Sequence, residues 1–259
     1  MRLQRSLSAA AACVSVTALA ACGERTEPTA PAPSEQVNVA LAGRPDQSDL
    51  CLFQAKETGA FSEAGLDVNI TVPRSAAAPF EMLGNERADL IVASPKELLI
   101  RRDGGAPYIS VARLTLTPIN QPEAKPVAPQ RGRKGAKRRA PAPVGPEVVV
   151  ATRTTISGRG AIVRRFVQAV GRSCAGDPAS LKPGAKALGD SRRTHASVPA
   201  ANPLGGPPMT TPVRSRPWGW QPPEQWAALL DRLRRSGEVK VPTPSDTSYT
   251  NEFLAGEGA

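Results

Sequence analysis

The sequence predicts an α/β fold for residues 37–113, the part of the chain with the clearest periodicity. Apolar runs of strand length alternate there with segments of helical spacing, and the connections between them are short. The clearest example lies at residues 59–72, where a glycine ends a helix, Gly65 closes a polar turn and an alternating apolar run follows. Such alternation favours parallel strands, with helices on both faces of one sheet.

The elements follow in a regular order along this region. The pattern predicts strands at 37–41, 66–72, 89–93 and 108–112, separated by helices at 50–56, 76–87 and 95–102. The carboxyl ends of parallel strands meet at one edge of a sheet, and ligands of open α/β sheets bind at that edge. We therefore expect ligand contacts from the loops 42–49, 73–75 and 94–96.

Three residues of these loops are candidates for contact with an anionic group. Arg44 supplies a cation in the first loop, while Ser75 and Ser94 lie where helices are predicted to begin and to expose backbone amides. The alternative for Arg44 is a solvated loop charge that contacts no ligand.

Residues 117–146 form a basic segment rich in proline, alanine, lysine and arginine. Such a composition cannot bury a core, so the segment is predicted to be disordered, and it carries much of the net charge of +10. Its most basic part, residues 131–139, could alternatively bind nucleic acid or anionic lipid. Aromatic side chains for base stacking are absent from it, so no nucleic-acid partner is predicted.

Regular structure is predicted to resume within residues 147–172, as a strand at 147–152 and an amphipathic helix at 159–170. Residues 173–216 then form a low-complexity segment without an apolar period, and no order is expected there. The last part of the chain, residues 217–259, contains a predicted helix followed by a tail.

Three tryptophans mark this last part. Trp226 lies on the apolar side of the predicted helix, at helical spacing from Leu229, Leu230 and Leu233. A core position is the favoured reading for all three tryptophans. Trp218, which precedes Gly219 in a loop or hinge, is the best candidate among them for a ligand contact.

The amino-terminal residues indicate export. Arg2 and Arg5 precede an apolar stretch that is too short to span a bilayer and that ends in Leu-Ala-Ala-Cys22. Small residues before such a cysteine match the bacterial lipobox, which implies cleavage before Cys22 and lipidation of its thiol. Residues 1–22 would then be a signal peptide and 23–36 a flexible tether, in an exported protein that is periplasmic or anchored to the outer face of the cell membrane. An ordinary cleaved signal peptide is the alternative.

The remaining cysteines and the single histidine bear on the chemistry. Cys51 and Cys174 could pair in an oxidising compartment. Cys51 lies in a predicted helix, where a buried free thiol is the more common state, and that state is expected here. No cysteines or histidines have metal-ligand spacing, and His195 stands alone, so no metal, cofactor or Ser-His-Asp site is predicted.

The order of motifs resembles a known family. Four features in sequence are similar to the first lobe of bacterial substrate-binding proteins. They are the strand at 37–41, the loop with Pro45, the run Gly-x-Phe-x-x-x-Gly-Leu-Asp-Val at 59–68, and Ala-Asp-Leu at 88–90. These proteins serve ABC importers of thiamine-pyrimidine precursors, aliphatic sulfonates, nitrate and taurine, and they have the type II periplasmic-binding fold. Residues 217–259 resemble the carboxyl-terminal helix and tail of the same family.

The resemblance implies a monomeric solute-binding lipoprotein that captures a small organic molecule, closes around it and contacts an ABC permease. It implies no catalytic residues. Pyrimidine-binding members carry Asp-Trp-x-Pro-Asn in the loop after the first strand, with a histidine further on. The Asp-Trp pair is Ala42 and Gly43 here, while Asp46 and Asp49 take the Asn and His positions and become candidate ligand-binding residues. The aromatic platform for a pyrimidine is missing from this loop.

Two alternatives remain open at this point. Residues 37–116 correspond to the first lobe, but 117–146 and 173–216 occupy positions where the family carries organised structure, so the second lobe is expected to be truncated or disordered. The chain could therefore be a remnant that binds nothing, with low-complexity segments that arose out of frame. An enzyme of pyrimidine biosynthesis with the same fold is the second alternative. The sequence does not identify the solute.

Overall fold

The computed structural model describes residues 34–75, 77–120, 147–175, 178–199, 208–209, 216–241 and 244–256. The predicted signal peptide, Cys22 and nearly all of the predicted tether lie outside these residues, as does the basic segment from residue 121 to 146. Within the described ranges, no helix has the length and apolar character needed to cross a membrane.

Five strands form one sheet in the order β2-β1-β3-β5-β4. Their bounds are Glu35–Ala40 for β1, Leu66–Thr71 for β2, Leu90–Ala93 for β3, Tyr108–Arg113 for β4 and Val148–Thr152 for β5. β1 pairs in parallel with β2 and β3, as the alternation of elements predicted. β5 runs antiparallel between β3 and β4, so β4 does not pair with the first three strands.

The described part of the chain contains seven helices. They are α1 (Leu50–Glu57), α2 (Ala60–Glu63), α3 (Ala78–Gly84), α4 (Pro95–Asp103), α5 (Arg153–Cys174), α6 (Lys182–Thr194) and α7 (Pro223–Arg235). Short 3-10 turns lie at Gln47–Asp49, Pro178–Leu181 and Ser245–Thr247.

Each face of the sheet has its own core. Helices α1, α2 and α5 contribute to one apolar cluster, in which Phe61 stacks on Phe166 with ring centroids 5.2 Å apart. Helices α3, α4 and α7 contribute to the other, where the fully buried Trp226 stacks on Tyr249 at 5.5 Å. The helix around Trp226 therefore packs as its apolar spacing predicted.

Helix α6 lies in the segment where no order was expected. Its buried positions are Gly184 and Leu188, and the helix packs against α1. Gln54 of α1 fixes the contact, since its side chain donates to the carbonyl of Ser180 at 2.9 Å and accepts from the amide of Gly184 at 2.8 Å. The apolar side of α6 consists mainly of glycine, alanine and one leucine, which is too weak a periodic signal to detect in a proline- and arginine-rich context.

The start of the predicted disordered segment also belongs to the fold. Ile119 is fully buried, and its amide donates to Oε1 of Gln225 at 2.9 Å. Order therefore continues past residue 117, because one apolar side chain reaches the core next to α7. A single apolar residue has no periodicity, so the composition of the surrounding segment concealed it.

A disulfide joins Cys51 of α1 to Cys174 at the end of α5, with Cα atoms 5.3 Å apart. Both cysteines are fully buried. The expectation of a free buried thiol at Cys51 was thus wrong. Its helical setting was predicted as observed, but the packing of α1 against α5, which brings the two residues together, depends on long-range contacts that local sequence does not reveal.

Candidate functional site

The loop after β1 turns at the carboxyl edge of the sheet and is held by two aspartates. Asp46 caps the turn Gln47–Asp49, where its Oδ1 accepts from the amide of Ser48 at 2.8 Å. Asp49 returns the contact, because its Oδ2 accepts from the amide of Asp46 at 2.9 Å. This reciprocal pattern is a capping box, and it arises locally from an acidic residue at the cap and another three positions later. Both side chains are buried, so their carboxylates serve the loop itself.

Glu147 completes a buried acidic cluster, which we define as Asp46, Ser48, Asp49 and Glu147. Ser48 Oγ lies 2.6 Å from Asp46 Oδ1 and within hydrogen-bond distance of Glu147 Oε2. A hydroxyl has one proton and can donate to only one of these carboxyl groups. Asp46 also accepts from the Ser48 amide, which favours its ionised form. We therefore assign a proton to Glu147, which donates to Ser48 Oγ.

Burial raises the pKa of all three carboxyl groups. For Glu147, burial and then the negative charges of Asp46 and Asp49 raise the pKa well above its ordinary value, and the contact with Ser48 opposes the rise. For Asp49, burial and the charge of Asp46 raise the pKa well above the ordinary value. For Asp46, burial raises the pKa, while hydrogen bonds from Ser48 and the positive charge of Arg192 oppose the rise. Neutralisation is the usual response of a carboxylate removed from water.

This cluster does not have the form of a metal centre. The Ser48 hydroxyl contacts the carboxyl groups of both Asp46 and Glu147. Throughout the ranges that the structure describes, no group of three or more histidine, cysteine, aspartate or glutamate side chains is arranged to hold a metal ion. Glu147 was not among the predicted site residues. Its signal in the sequence was a charged residue directly before a strand that begins Val-Val-Val-Ala.

The other predicted edge residues have contacts within the chain. The amide of Arg44 donates to the carbonyl of Pro199 at 3.0 Å, and its Nη1 donates to the carbonyl of Ala196 at 3.3 Å. Ser94 Oγ accepts from the amide of Glu97 at 3.1 Å and so caps α4.

Ser75 does not stand at a helix start. It is exposed, and α3 begins three residues later with Ala77 at its cap position. The prediction of helix amides at Ser75 was therefore wrong. The reason is a bend at residues 74–75, so that α3 starts later than the apolar spacing indicated.

A cavity of about 670 Å³ lies elsewhere, beside the end of α5. Its described walls come from residues 167–175, from residues 216–218 and from the tail at 255–256. Of the residues predicted to contact a ligand, Trp218 lines this cavity, whereas the two serines, the two aspartates and Arg44 do not.

Trp218 has a fixed position in the cavity wall. Its indole Nε1 donates to the carbonyl of Met209, and the ring packs on Gly171. A Cβ at Gly171 would lie 3.2 Å from Cε3 of the indole, so a larger residue would displace the ring. Gly219 has a φ of +85° and its carbonyl accepts from the amide of Arg113 at 2.9 Å, which ties the tryptophan loop to β4.

Two arginines and one amide give the cavity its polarity. Arg172 comes from the last turn of α5, Arg216 precedes the tryptophan loop, and Gln168 lies one helical turn before Arg172. The guanidinium of Arg216 stacks over the ring of Trp220, with Cζ 4.3 Å from its centroid. Sequence reasoning missed this group, because Arg172 and Arg216 are brought together only by the fold.

The fold has counterparts among solved periplasmic proteins. The chain is similar to a putative periplasmic sulfonate-binding protein, SsuA, from Methylobacillus flagellatus KT, with a TM-score of 0.54 and 11% identity over 85% of this chain and 93% of that one. It is also similar to the alkanesulfonate-binding protein SsuA from Xanthomonas axonopodis pv. citri bound to MOPS, with a TM-score of 0.52 and 12% identity over 85% and 99% of the two chains. The described chain thus has the α/β fold of the periplasmic-binding proteins, as predicted.

Comparison of the sequence with known proteins identifies similar families of binding proteins. The NMT1/THI5-like family model matches residues 49–124. A formylaminopyrimidine-binding protein from Halalkalibacterium halodurans is 30% identical over 86 residues, which are 33% of this chain and 26% of that protein. The matched part thus spans about a quarter of the relative's length. Through this region the chain is similar to the NMT1/THI5-like family and to a binding protein, which confirms the predicted resemblance.

Proposed function

We propose that the chain is a solute-binding protein of an ABC importer, which captures a small organic molecule and delivers it to a membrane permease. The observation that carries the proposal is the family match at residues 49–124, within a periplasmic-binding fold. The relatives and neighbours named above are binding proteins, and the proposed role requires no catalytic residue. Pyrimidine precursors and sulfonates are the first solute classes to test.

Binding is expected to stabilise the folded chain. A solute present at 100 times its dissociation constant raises the free energy of unfolding by about 2.7 kcal/mol. The measurement is thermal unfolding of the purified chain with pyrimidines, sulfonates, nitrate, taurine and benzoate. A rise in the midpoint that saturates with one compound would support a receptor and identify its solute. Turnover of that compound would instead favour the biosynthetic enzyme.

The proposal includes export and a lipid anchor on Cys22. The sequence Leu-Ala-Ala-Cys22 supports the anchor, and the Cys51–Cys174 disulfide supports an oxidising compartment. In a bacterial host, the chain is expected to incorporate labelled fatty acid and to fractionate with membranes. The Cys22→Ser variant should lose both the label and the membrane fractionation. The Cys13→Ser variant should keep both, because Cys13 lies within the predicted signal peptide. Equal labelling of the Cys22→Ser chain would contradict the anchor.

A second candidate is a remnant that binds no solute. It is favoured by the buried acidic cluster, because Asp46 and Asp49 are engaged by the loop's own hydrogen bonds at the edge where ligands of this fold bind. A cooperative unfolding transition that no compound of the panel shifts would support this candidate over the receptor.

A further inference from the structure

We infer that the solute site of this chain is the cavity beside the end of α5, and that it takes a small organic anion with a flat apolar body. The inference deepens the proposed function, on which it rests, because it assigns both the site and the class of solute. The cavity volume of about 670 Å³ is within the range of small-molecule sites.

The carboxyl edge of the sheet offers little to a ligand. Asp46, Asp49 and Glu147 are each no more than 5% exposed, so a solute would have to displace buried hydrogen-bonded groups to reach them. Arg44, the cation of that loop, is engaged by the carbonyls at residues 196 and 199. An organic anion would also meet the negative charge of Asp46 there.

The cavity has the opposite charge character. Its described lining contains the guanidinium groups of Arg172 and Arg216 and the amide of Gln168, but no carboxylate. Neither arginine forms an ion pair with a carboxylate among the described residues. A guanidinium binds a carboxylate or a similar anion through paired hydrogen bonds. These two side chains are therefore available to an anionic ligand.

The remaining walls are apolar. Trp218 presents a ring that is held by Met209 and Gly171, and Val167 and Pro217 lie beside it. A fixed indole gives a flat apolar group a preformed surface, so little order is lost on binding. Arg216 is oriented by its stacking on Trp220. The arrangement suits a planar body against the indole with its charge toward the arginines.

Benzoate is the probe, and benzamide, which has the same shape without the charge, is its matched control. Calorimetric titration of the full chain is expected to detect benzoate and to give at least about tenfold weaker binding of benzamide. Arg172→Gln and Arg216→Gln are each expected to weaken benzoate binding about tenfold or more, because each removes a charge-assisted contact.

Arg87→Gln serves as the control variant, since Arg87 is exposed and lies outside the cavity lining. It should bind benzoate as the unsubstituted chain does, and equal unfolding midpoints would show that all three variants fold. Benzoate binding that both cavity variants retain would overturn the inference and leave the proposed function standing. Failure of benzoate to bind would also overturn the inference. If a neutral pyrimidine then shifted the unfolding midpoint, the proposed receptor function would stand and the solute would bind at another site.

Discussion

Removing the Cys51–Cys174 disulfide, by replacing both cysteines with alanine, is expected to lower the free energy of unfolding by about 2–5 kcal/mol. The bond closes a loop with a sequence separation of 123 residues, which contains most of the sheet. Constraining so long a loop lowers the entropy of the unfolded chain, and that effect is lost with the bond. Denaturant unfolding of the oxidised protein and of the double variant measures the difference.

Reduction supplies the matched control. A reductant should destabilise the unsubstituted protein toward the level of the double variant, and it should leave the double variant itself unchanged. Replacing Cys13 and Cys22, which lie outside the described residues, should not change the response to reductant. A protein with the same unfolding free energy in oxidising and reducing buffers would contradict the assigned bond.

The disulfide also bears on the proposed solute site. Cys174 ends the helix that supplies Arg172 to the cavity, and Cys51 Sγ lies 4.0 Å from the Met209 carbonyl that accepts from Trp218. One bond therefore holds α5 to α1 close to two walls of the cavity. The helix end and the tryptophan loop are thus positioned by the same local core.

Local signals predicted most elements of the first part of the chain. Helix α4, expected at 95–102, spans Pro95–Asp103, because Ser94 caps it and Pro95 fits its first turn. The position of β5 between β3 and β4 was not predicted, since strand order depends on contacts between distant segments. Helix α5 begins at Arg153, before its predicted start, with a non-helical residue at Arg159 that divides its pattern.

The candidate site was less accessible to sequence reasoning. Trp218 was identified from its place beside Gly219, which has the positive φ that a turn there requires. Arg172 lies at the end of a helix and Arg216 lies in a loop. No local sequence pattern links these two segments. The hydrogen bonds of Asp46 and Asp49 follow a recognisable capping pattern, but the contact of Ser48 with Glu147 joins residues 99 positions apart, and only the fold brings them together.

The buried acidic cluster is expected to make the free energy of unfolding depend strongly on pH. The pKa values of Glu147 and Asp49 in the folded chain lie well above their ordinary values of 4.5 and 3.8, chiefly because of burial. The folded state therefore binds more protons than the unfolded state above those ordinary values. Stability from these groups is fully present below them, and it is lost as the pH rises toward the folded-state pKa values.

Glu147→Gln is expected to remove much of this loss. The glutamine amide can donate to Ser48 Oγ as the protonated carboxyl group does, and it never becomes charged. At pH 5 the variant should be about as stable as the unsubstituted chain. At pH 9 it should be more stable by on the order of 2 kcal/mol, because a buried charge in contact with other carboxylates has been removed. Urea unfolding at intervals between these pH values gives the difference directly.

Glu63→Gln, at an exposed position, is the matched control and should show no such pH-dependent gain. The comparison between variants cancels the contribution of titrating groups outside the buried acidic cluster, so the difference reports on Glu147 and its coupling to Asp46 and Asp49. An equal loss of stability for Glu147→Gln at every pH would show that a carboxylate is required at this position. The proton assigned to Glu147 would then be wrong, and Ser48 would have to donate to Glu147 instead of Asp46.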